Sequence, residues 1–190
     1  MNPRILATAA IALAGAAPAL AAVEAYTIDP RHTFPSFEVN HLGYSLQRGR
    51  FNRTSGKITV DTEARKGTID VTIDATSVST GVDKLEEHVR GEDFLNTSRF
   101  PTINFKSSNL SFEGDKLKSA SGELTMAGVT RPVTLTAELF NCGAHPVNKK
   151  PMCGGEFVAR IRRSEWGIKY AIPALADEMT LRINVEAVRD

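Results

Sequence analysis

A short charged segment contains the side chains of this 190-residue sequence that could most readily carry chemistry. Residues 88–93 read HVRGED, and a histidine beside carboxylates and an arginine is a combination that can perform general acid–base catalysis. The same combination is more often the solvated end of a helix, where Asp93 would hydrogen-bond backbone groups of the following turn. The residues alone leave both interpretations open.

Two further histidines, His32 and His41, could hydrogen-bond a ligand head group, act as acid or base, or be structural. A third metal ligand near them is not evident, and the sequence has no Gly-x-Ser-x-Gly, phosphate-loop or dinucleotide-binding phrase. We therefore predict no catalytic residue, no metal and no cofactor.

The first 21 residues have the features of an export signal. Arg4 supplies a positive charge, residues 5–17 form an apolar run, and residues 19–21 fit a small-residue cleavage site. The apolar run is too short to span a bilayer comfortably as a helix. We expect a signal peptide over residues 1–21, cleaved near Ala21, and one domain over residues 22–190 in the periplasm or outside the cell.

The charge balance excludes a broad electrostatic partner. The chain has 23 Lys and Arg residues against 22 Asp and Glu residues, and the expected cleavage removes only Arg4. The mature chain would then carry equal numbers of both signs. Because nucleic-acid binders need a basic excess to displace counterions from phosphate, we expect no nucleic-acid partner.

The two cysteines of the chain, Cys142 and Cys153, lie in one loop-like stretch, NCGAHPVNKKPMC. In an exported protein, such a pair is expected to form a disulfide. The alternatives are two unpaired thiols, or a zinc site in which His145 would be the only nearby additional ligand.

Alternation of apolar and polar residues, interrupted by Gly, Asn, Asp and Pro, predicts antiparallel strands through nearly all of the expected mature chain. The predicted strands are 26–28, 36–41, 49–51, 56–61, 67–75, 102–112, 116–126, 129–140, 156–166 and 179–188. Residues 141–155 are expected to be a Pro-, Gly- and Lys-rich excursion between two of them.

The alternation places apolar residues on one face of each strand, as in Ile69, Val71 and Ile73. An antiparallel sheet must cover such a face, and closing into a barrel does so while removing open edges. A barrel or a strongly curved sandwich is therefore expected. Arg160 and Arg162 should point outward from their strand, with Arg163 near its bend, to a solvated face or, as an alternative, to a pyrophosphate.

One segment, residues 81–90, breaks the alternation. Val82, Leu85 and Val89 recur at helical spacing with charged residues between them. We predict a short amphipathic helix that crosses from one strand to the next.

Four phrases, spread over most of the expected mature chain, together resemble the YceI family of periplasmic polyisoprenoid-binding proteins. They are HTFPSFEVNHLG at 32–43, HVRGEDFLNTSRFPTINFKS at 88–107, GELTMAGVTRPVTL at 122–135 and WGI at 166–168. The resemblance implies an all-β fold, an eight-stranded antiparallel lipocalin-like β-barrel. It also implies that the elongated interior binds an amphiphile with a polyprenyl or fatty-acyl chain.

Rings and aliphatic side chains are expected to shape the apolar lining, although any single ring could instead fill a solid core. The predicted ligand-binding residues are Phe37, Val39, His41, Phe51, Phe94, Leu95, Phe105, Trp166 and Ile168. The predicted head-group contacts are His32, His88 and Arg90.

Three functions follow from these observations. The first is an exported, non-enzymatic carrier that sequesters a long-chain isoprenoid or acyl amphiphile. The second is an extracytoplasmic enzyme acting on a small lipid or quinone precursor, with His32, His41 or Asp93 as acid or base. The third is an interaction module for a membrane redox partner. The resemblance also leaves room for a homodimer and for transient membrane contact.

Overall fold

The computed structural model describes residues 23–61 and 63–190, so the predicted signal peptide lies outside the described residues. The strands are β1 (Glu24–Ile28), β2 (Phe34–His41), β3 (Ser45–Phe51), β4 (Thr54–Asp61), β5 (Lys66–Asp74), β6 (Val78–Ser79), β7 (Thr102–Glu113), β8 (Lys116–Met126), β9 (Val129–Ala144), β10 (Pro151–Arg162) and β11 (Leu175–Arg189). The helix α1 spans Asp83–Arg90, and two 3-10 helices span Ala75–Ser77 and Arg163–Trp166. Within these residues, no helix has the length and apolar character needed to cross a membrane.

Eight strands close into an antiparallel barrel, which confirms the fold expected from the resemblance. The ring runs β1-β4-β5-β7-β8-β9-β10-β11 and is closed by pairing of β1 with β11. The helix α1 lies between β6 and β7, within the predicted segment 81–90. Closure satisfies the backbone groups of strands that would otherwise form an open edge.

The seam of the barrel is built from interrupted strands. β11 pairs with β2 through Leu175 to Asn184 and with β1 through Ala187 to Arg189. In the same way, β3 pairs with β2 while β4 pairs with β1. Thus β1 with β2, and β3 with β4, each act as one wall strand broken in its middle.

The helix α1 and the residues around it cover the end of the barrel near β3. β3 reaches only the two-residue strand β6, through Arg50 and Phe51, and α1 follows β6 directly. One carboxylate oxygen of Glu86 accepts hydrogen bonds from Ser79 Oγ at 3.1 Å and from the Thr80 backbone N–H at 2.8 Å. It also accepts one from the Gly81 backbone at 3.2 Å, and so ties the helix to β6.

Several strands begin or end at other residues than predicted, β9 and β10 among them. β9 and β10 continue through the expected excursion as a long hairpin in which Cys142 and Cys153 are paired neighbours. They form a disulfide, as predicted. β10 ends at Arg162, four residues before its predicted end, because the chain turns there into the 3-10 helix Arg163–Trp166.

Breaking the disulfide should destabilise the fold. The bond closes a loop with a sequence separation of 11 residues, and the chain-entropy model gives about 3 kcal/mol for a loop of this size. The double variant Cys142→Ser/Cys153→Ser should therefore lose about that much free energy of unfolding in urea titrations. The wild-type protein under reducing conditions should show the same loss, and unchanged midpoints in both cases would contradict the expectation.

Replacing Glu86 should alter the acid sensitivity of the fold. The Thr80 backbone N–H, helped by donors from Ser79 and Gly81, holds the pKa of Glu86 below its usual range. A lowered folded-state pKa means that the carboxylate stabilises the protein above its unfolded-state pKa of about 4.3. This contribution is lost as pH falls through the lower folded-state value.

Glu86→Gln should therefore be less stable than wild type at neutral pH, and the gap should narrow as the solution is acidified. Denaturant titrations across this pH range measure the gap. Glu87→Gln, which changes an exposed carboxylate on the same helix, should keep the wild-type pH dependence. A gap for Glu86→Gln that stays constant with pH would show that its ionisation is not the stabilising factor.

Candidate functional site

An apolar cavity of about 600 Å³ occupies the interior of the barrel. At one end its lining includes Leu42, His88 and Tyr170, and at the other it includes the two disulfide cysteines. The volume falls within the range of about 300–1,000 Å³ that is usual for small-molecule sites. We call the end at α1 the mouth and the end at Cys142 and Cys153 the base.

The cavity is long because inward-facing apolar residues recur along whole strands. On β7, for example, Ile103 and Phe112 both line it, and so do Phe105 and Leu110 between them. Nine residue steps at about 3.4 Å correspond to roughly 30 Å along the strand, or roughly 23 Å along the axis of a barrel with a strand tilt near 40°. The shape is thus that of a tunnel.

Eight of the nine predicted ligand-binding residues line this cavity. They are Phe37, Val39, His41, Phe51, Phe94, Leu95, Phe105 and Ile168. The ninth, Trp166, lies outside the lining because the 3-10 helix turns its ring into the core. There it is 2% exposed, and its indole N–H donates to the backbone oxygen of Leu124 at 3.0 Å.

The three predicted head-group residues do not come together. His88 lines the cavity, whereas His32 and Arg90 do not. Nδ1 of His32 lies 3.0 Å from a carboxylate oxygen of Asp29, and the His32 side chain is 56% exposed. Arg90 faces Glu86 at 3.8 Å on the same helix. The acid–base candidates are dispersed as well, since only His41 of His32, His41 and Asp93 lines the cavity.

An aromatic cluster narrows the mouth. The rings of His88, Phe94 and Tyr170 contact one another edge to face, with centroid separations of 5.0, 5.1 and 5.4 Å. Nε2 of His88 also lies 3.3 Å from a carboxylate oxygen of Asp93. All three rings line the cavity, so they form its rim on the side of α1.

Several polar side chains in the lining were not identified from the sequence. Arg163 is 2% exposed and lies near the mouth. Near the base, Tyr26 donates to a carboxylate oxygen of Glu24 at 2.6 Å, and burial together with this bond raises the pKa of Tyr26 to about 12. Among the described residues, no three His, Cys, Asp or Glu side chains are grouped as metal ligands would be.

Two buried threonines in the lining differ in their hydrogen bonding. Thr33 Oγ1 donates to the Glu186 backbone oxygen at 3.2 Å and accepts from the Glu186 backbone N–H at 3.1 Å. Thr54 Oγ1 is buried and has no hydrogen-bond partner among the described residues. Its position at the start of β4 places this hydroxyl between the mouth and the base of the cavity.

The two threonines therefore form a matched pair for mutation. Thr54→Val removes a buried hydroxyl without a partner, so it should raise the free energy of unfolding by about 1 kcal/mol. Thr33→Val breaks two hydrogen bonds and should lower it by about 1–3 kcal/mol. Denaturant titrations measure both changes. A destabilised Thr54→Val variant would mean that this hydroxyl is hydrogen-bonded in solution.

Comparison with known proteins identifies similar sequences and folds. Residues 26–187 match the family model described as a YceI-like domain. Protein YceI of an Escherichia coli O6:H1 strain is 37% identical over 167 residues, which cover 86% of each chain. The crystal structure of a Campylobacter jejuni YceI protein has a TM-score of 0.70 at 27% identity, covering 80% of this chain and 90% of that chain.

A second solved structure has the same fold at lower sequence identity. It is described as a polyisoprenoid-binding domain from Saccharophagus degradans implicated in plant cell wall breakdown. It has a TM-score of 0.66 at 14% identity and covers 87% of this chain and 98% of that chain. At this identity, the likeness is one of fold.

Proposed function

The chain belongs to the YceI-like family, and we propose that it binds the long apolar chain of an isoprenoid or acyl amphiphile inside its barrel. The observation that carries the proposal is the continuous apolar cavity of about 600 Å³ between the mouth and the base. A related fold is described as a polyisoprenoid-binding domain, which supports the same class of ligand. The proposed role is non-enzymatic binding, in which the barrel keeps the apolar chain away from water.

The energetics favour such a ligand without any covalent chemistry. Burial of apolar surface contributes about 0.8 kcal/mol per methylene, so about a dozen methylenes give on the order of 10 kcal/mol before the costs of association. A binding site of this kind needs an apolar lining with a few polar groups at one end to orient the ligand. The side chains of His41, His88 and Arg163 supply such groups near the mouth.

The proposed carrier acts outside the cytoplasm. This part of the proposal rests on the export signal predicted over residues 1–21. Dimerisation and transient membrane contact stay predictions. The amino terminus of the protein purified from its native host, read by mass spectrometry, tests the cleavage near Ala21 directly.

Identifying the molecule that the barrel contains tests the proposed binding directly. Protein purified gently from the native host should release a long-chain amphiphile on extraction, and native mass spectrometry should show the matching added mass. The delipidated protein should take up added prenyl or acyl lipids. Protein that is empty on purification and refuses both classes of lipid would overturn the proposal.

Blocking the tunnel should abolish binding. Leu135 on β9 lines the cavity, whereas Leu139 on the same strand is 63% exposed and lies outside the lining. Leu135→Trp places a larger ring in the path of the ligand chain. It should weaken lipid binding at least about tenfold, or about 1.4 kcal/mol, in fluorescence displacement titrations.

Leu139→Trp makes the same substitution on the outside of the barrel and should bind as the wild type does. Circular dichroism confirms that both variants are folded, since an enlarged interior side chain typically costs about 1–3 kcal/mol of stability. Equal affinity of the two variants would place the ligand somewhere other than the tunnel.

A further inference from the structure

Arg163 is a buried cation in the wall of the apolar cavity. It is 2% exposed, and it is the one charged side chain that is buried among residues 23–61 and 63–190. It lines the cavity near the mouth, where its guanidinium carbon lies 6.0 Å from the centre of the Phe94 ring. Arg163 is the first residue of the 3-10 helix that follows β10. Its side chain turns inward, whereas those of Arg160 and Arg162 on β10 face outward.

Most of the donors of Arg163 are occupied by the backbone of the loop that follows. Nε donates to the Ala176 oxygen at 2.9 Å, and Nη1 donates to the Ile168 oxygen at 3.2 Å. Nη2 donates to the oxygens of Tyr170 and Leu175, both at 2.8 Å. A guanidinium has five N–H groups, so one N–H of Nη1 remains without a partner among the described residues.

The charge of Arg163 is not neutralised by these bonds, because backbone oxygens carry no net charge. No carboxylate of the described residues lies within 4.0 Å of its guanidinium nitrogens. The carboxylate of Asp177 instead accepts from the Ser164 backbone N–H at 2.9 Å and from Ser164 Oγ at 2.7 Å. Burial accordingly lowers the pKa of Arg163, and attraction to Asp177 only partly opposes this effect.

We propose that Arg163 binds an anionic oxygen at the polar end of the amphiphile, through the remaining N–H of Nη1, while the apolar chain extends toward the base. This inference rests on the proposed lipid-binding function and specifies its ligand as an amphiphile with an acidic head group. A buried cation without an ion pair is costly, and an incoming anion both pairs with it and gains a charge-assisted hydrogen bond.

A ligand pair with one tail and two head groups tests the proposal. Palmitate and hexadecanol have the same number of carbons and differ in charge at one end. In displacement titrations at a pH where palmitate is ionised, the wild-type protein should bind palmitate at least about tenfold more tightly than hexadecanol. Equal affinities would overturn the proposal.

Variants of Arg163 separate a head-group role from a structural one. In Arg163→Gln, the ratio of the two affinities should fall to about one, since the cation is gone. Loss of the loop contacts alone would weaken both ligands by the same factor and leave the ratio unchanged, which would also overturn the proposal. Arg160→Gln, which changes a 73% exposed arginine of β10, should keep the wild-type ratio.

A measurement on the wild-type protein decides the question if Arg163→Gln does not fold. Carbon NMR of carboxyl-labelled palmitate in the barrel follows the titration of the bound head group. Contact with Arg163 should lower the carboxyl pKa below its value in solution, whereas burial in an apolar wall without a cation would raise it. A raised value contradicts the inference. Failure of hexadecanol, palmitate and prenyl lipids alike to bind would instead count against the proposed function itself.

Discussion

The pairing of one long strand, β11, with three neighbours holds the barrel closed, and the cavity depends on this closure. β11 pairs with β10 along one edge, and its other edge takes first β2 and then β1. The wall is therefore held by backbone hydrogen bonds that do not require side chains to meet at the centre. A barrel closed in this way can keep an open interior where a two-layer sandwich would have to be filled.

An open interior has an energetic consequence for the empty protein. Inward-facing side chains such as Val71, Leu135 and Leu181 are only partly buried, so they lack contacts that a solid core would provide. A ligand chain bound as proposed would restore those contacts and remove apolar surface from water. A ligand that binds only the folded state would also raise the free energy of unfolding, by an amount that grows with the logarithm of its concentration divided by its dissociation constant. The proposed binding would therefore couple occupancy of the barrel to its stability.

The alternation of apolar and polar residues along the sequence predicted most strands of the barrel wall. It failed at positions where a strand ends and a turn begins. The predicted strands 102–112 and 116–126 agree with β7 and β8 to within one residue, because apolar and polar residues alternate along them, with a change of phase on β7 at the bulge between Ser107 and Asn109. After Arg162, the 3-10 helix breaks this period, which turns Arg163 into the cavity and Trp166 into the core. Neither outcome could be read from the sequence, since Arg163 is held by a loop that folds back over its guanidinium and Trp166 by a hydrogen bond to the distant Leu124 backbone. The lining was therefore more predictable than the head-group contacts.

The interactions at the base of the tunnel differ from those at its mouth. At the base, the disulfide between Cys142 and Cys153 joins two directly paired residues of the β9–β10 hairpin, so it reinforces the wall covalently. At the mouth, the rings of His88, Phe94 and Tyr170 meet edge to face, and such contacts contribute only about 0.5–1.5 kcal/mol each. Displacing these rings breaks only weak side-chain contacts, so the proposed ligand chain would exchange through the mouth at little cost. A chain that enters tail first, as proposed, would leave its polar end beside Arg163, the buried cation near the mouth.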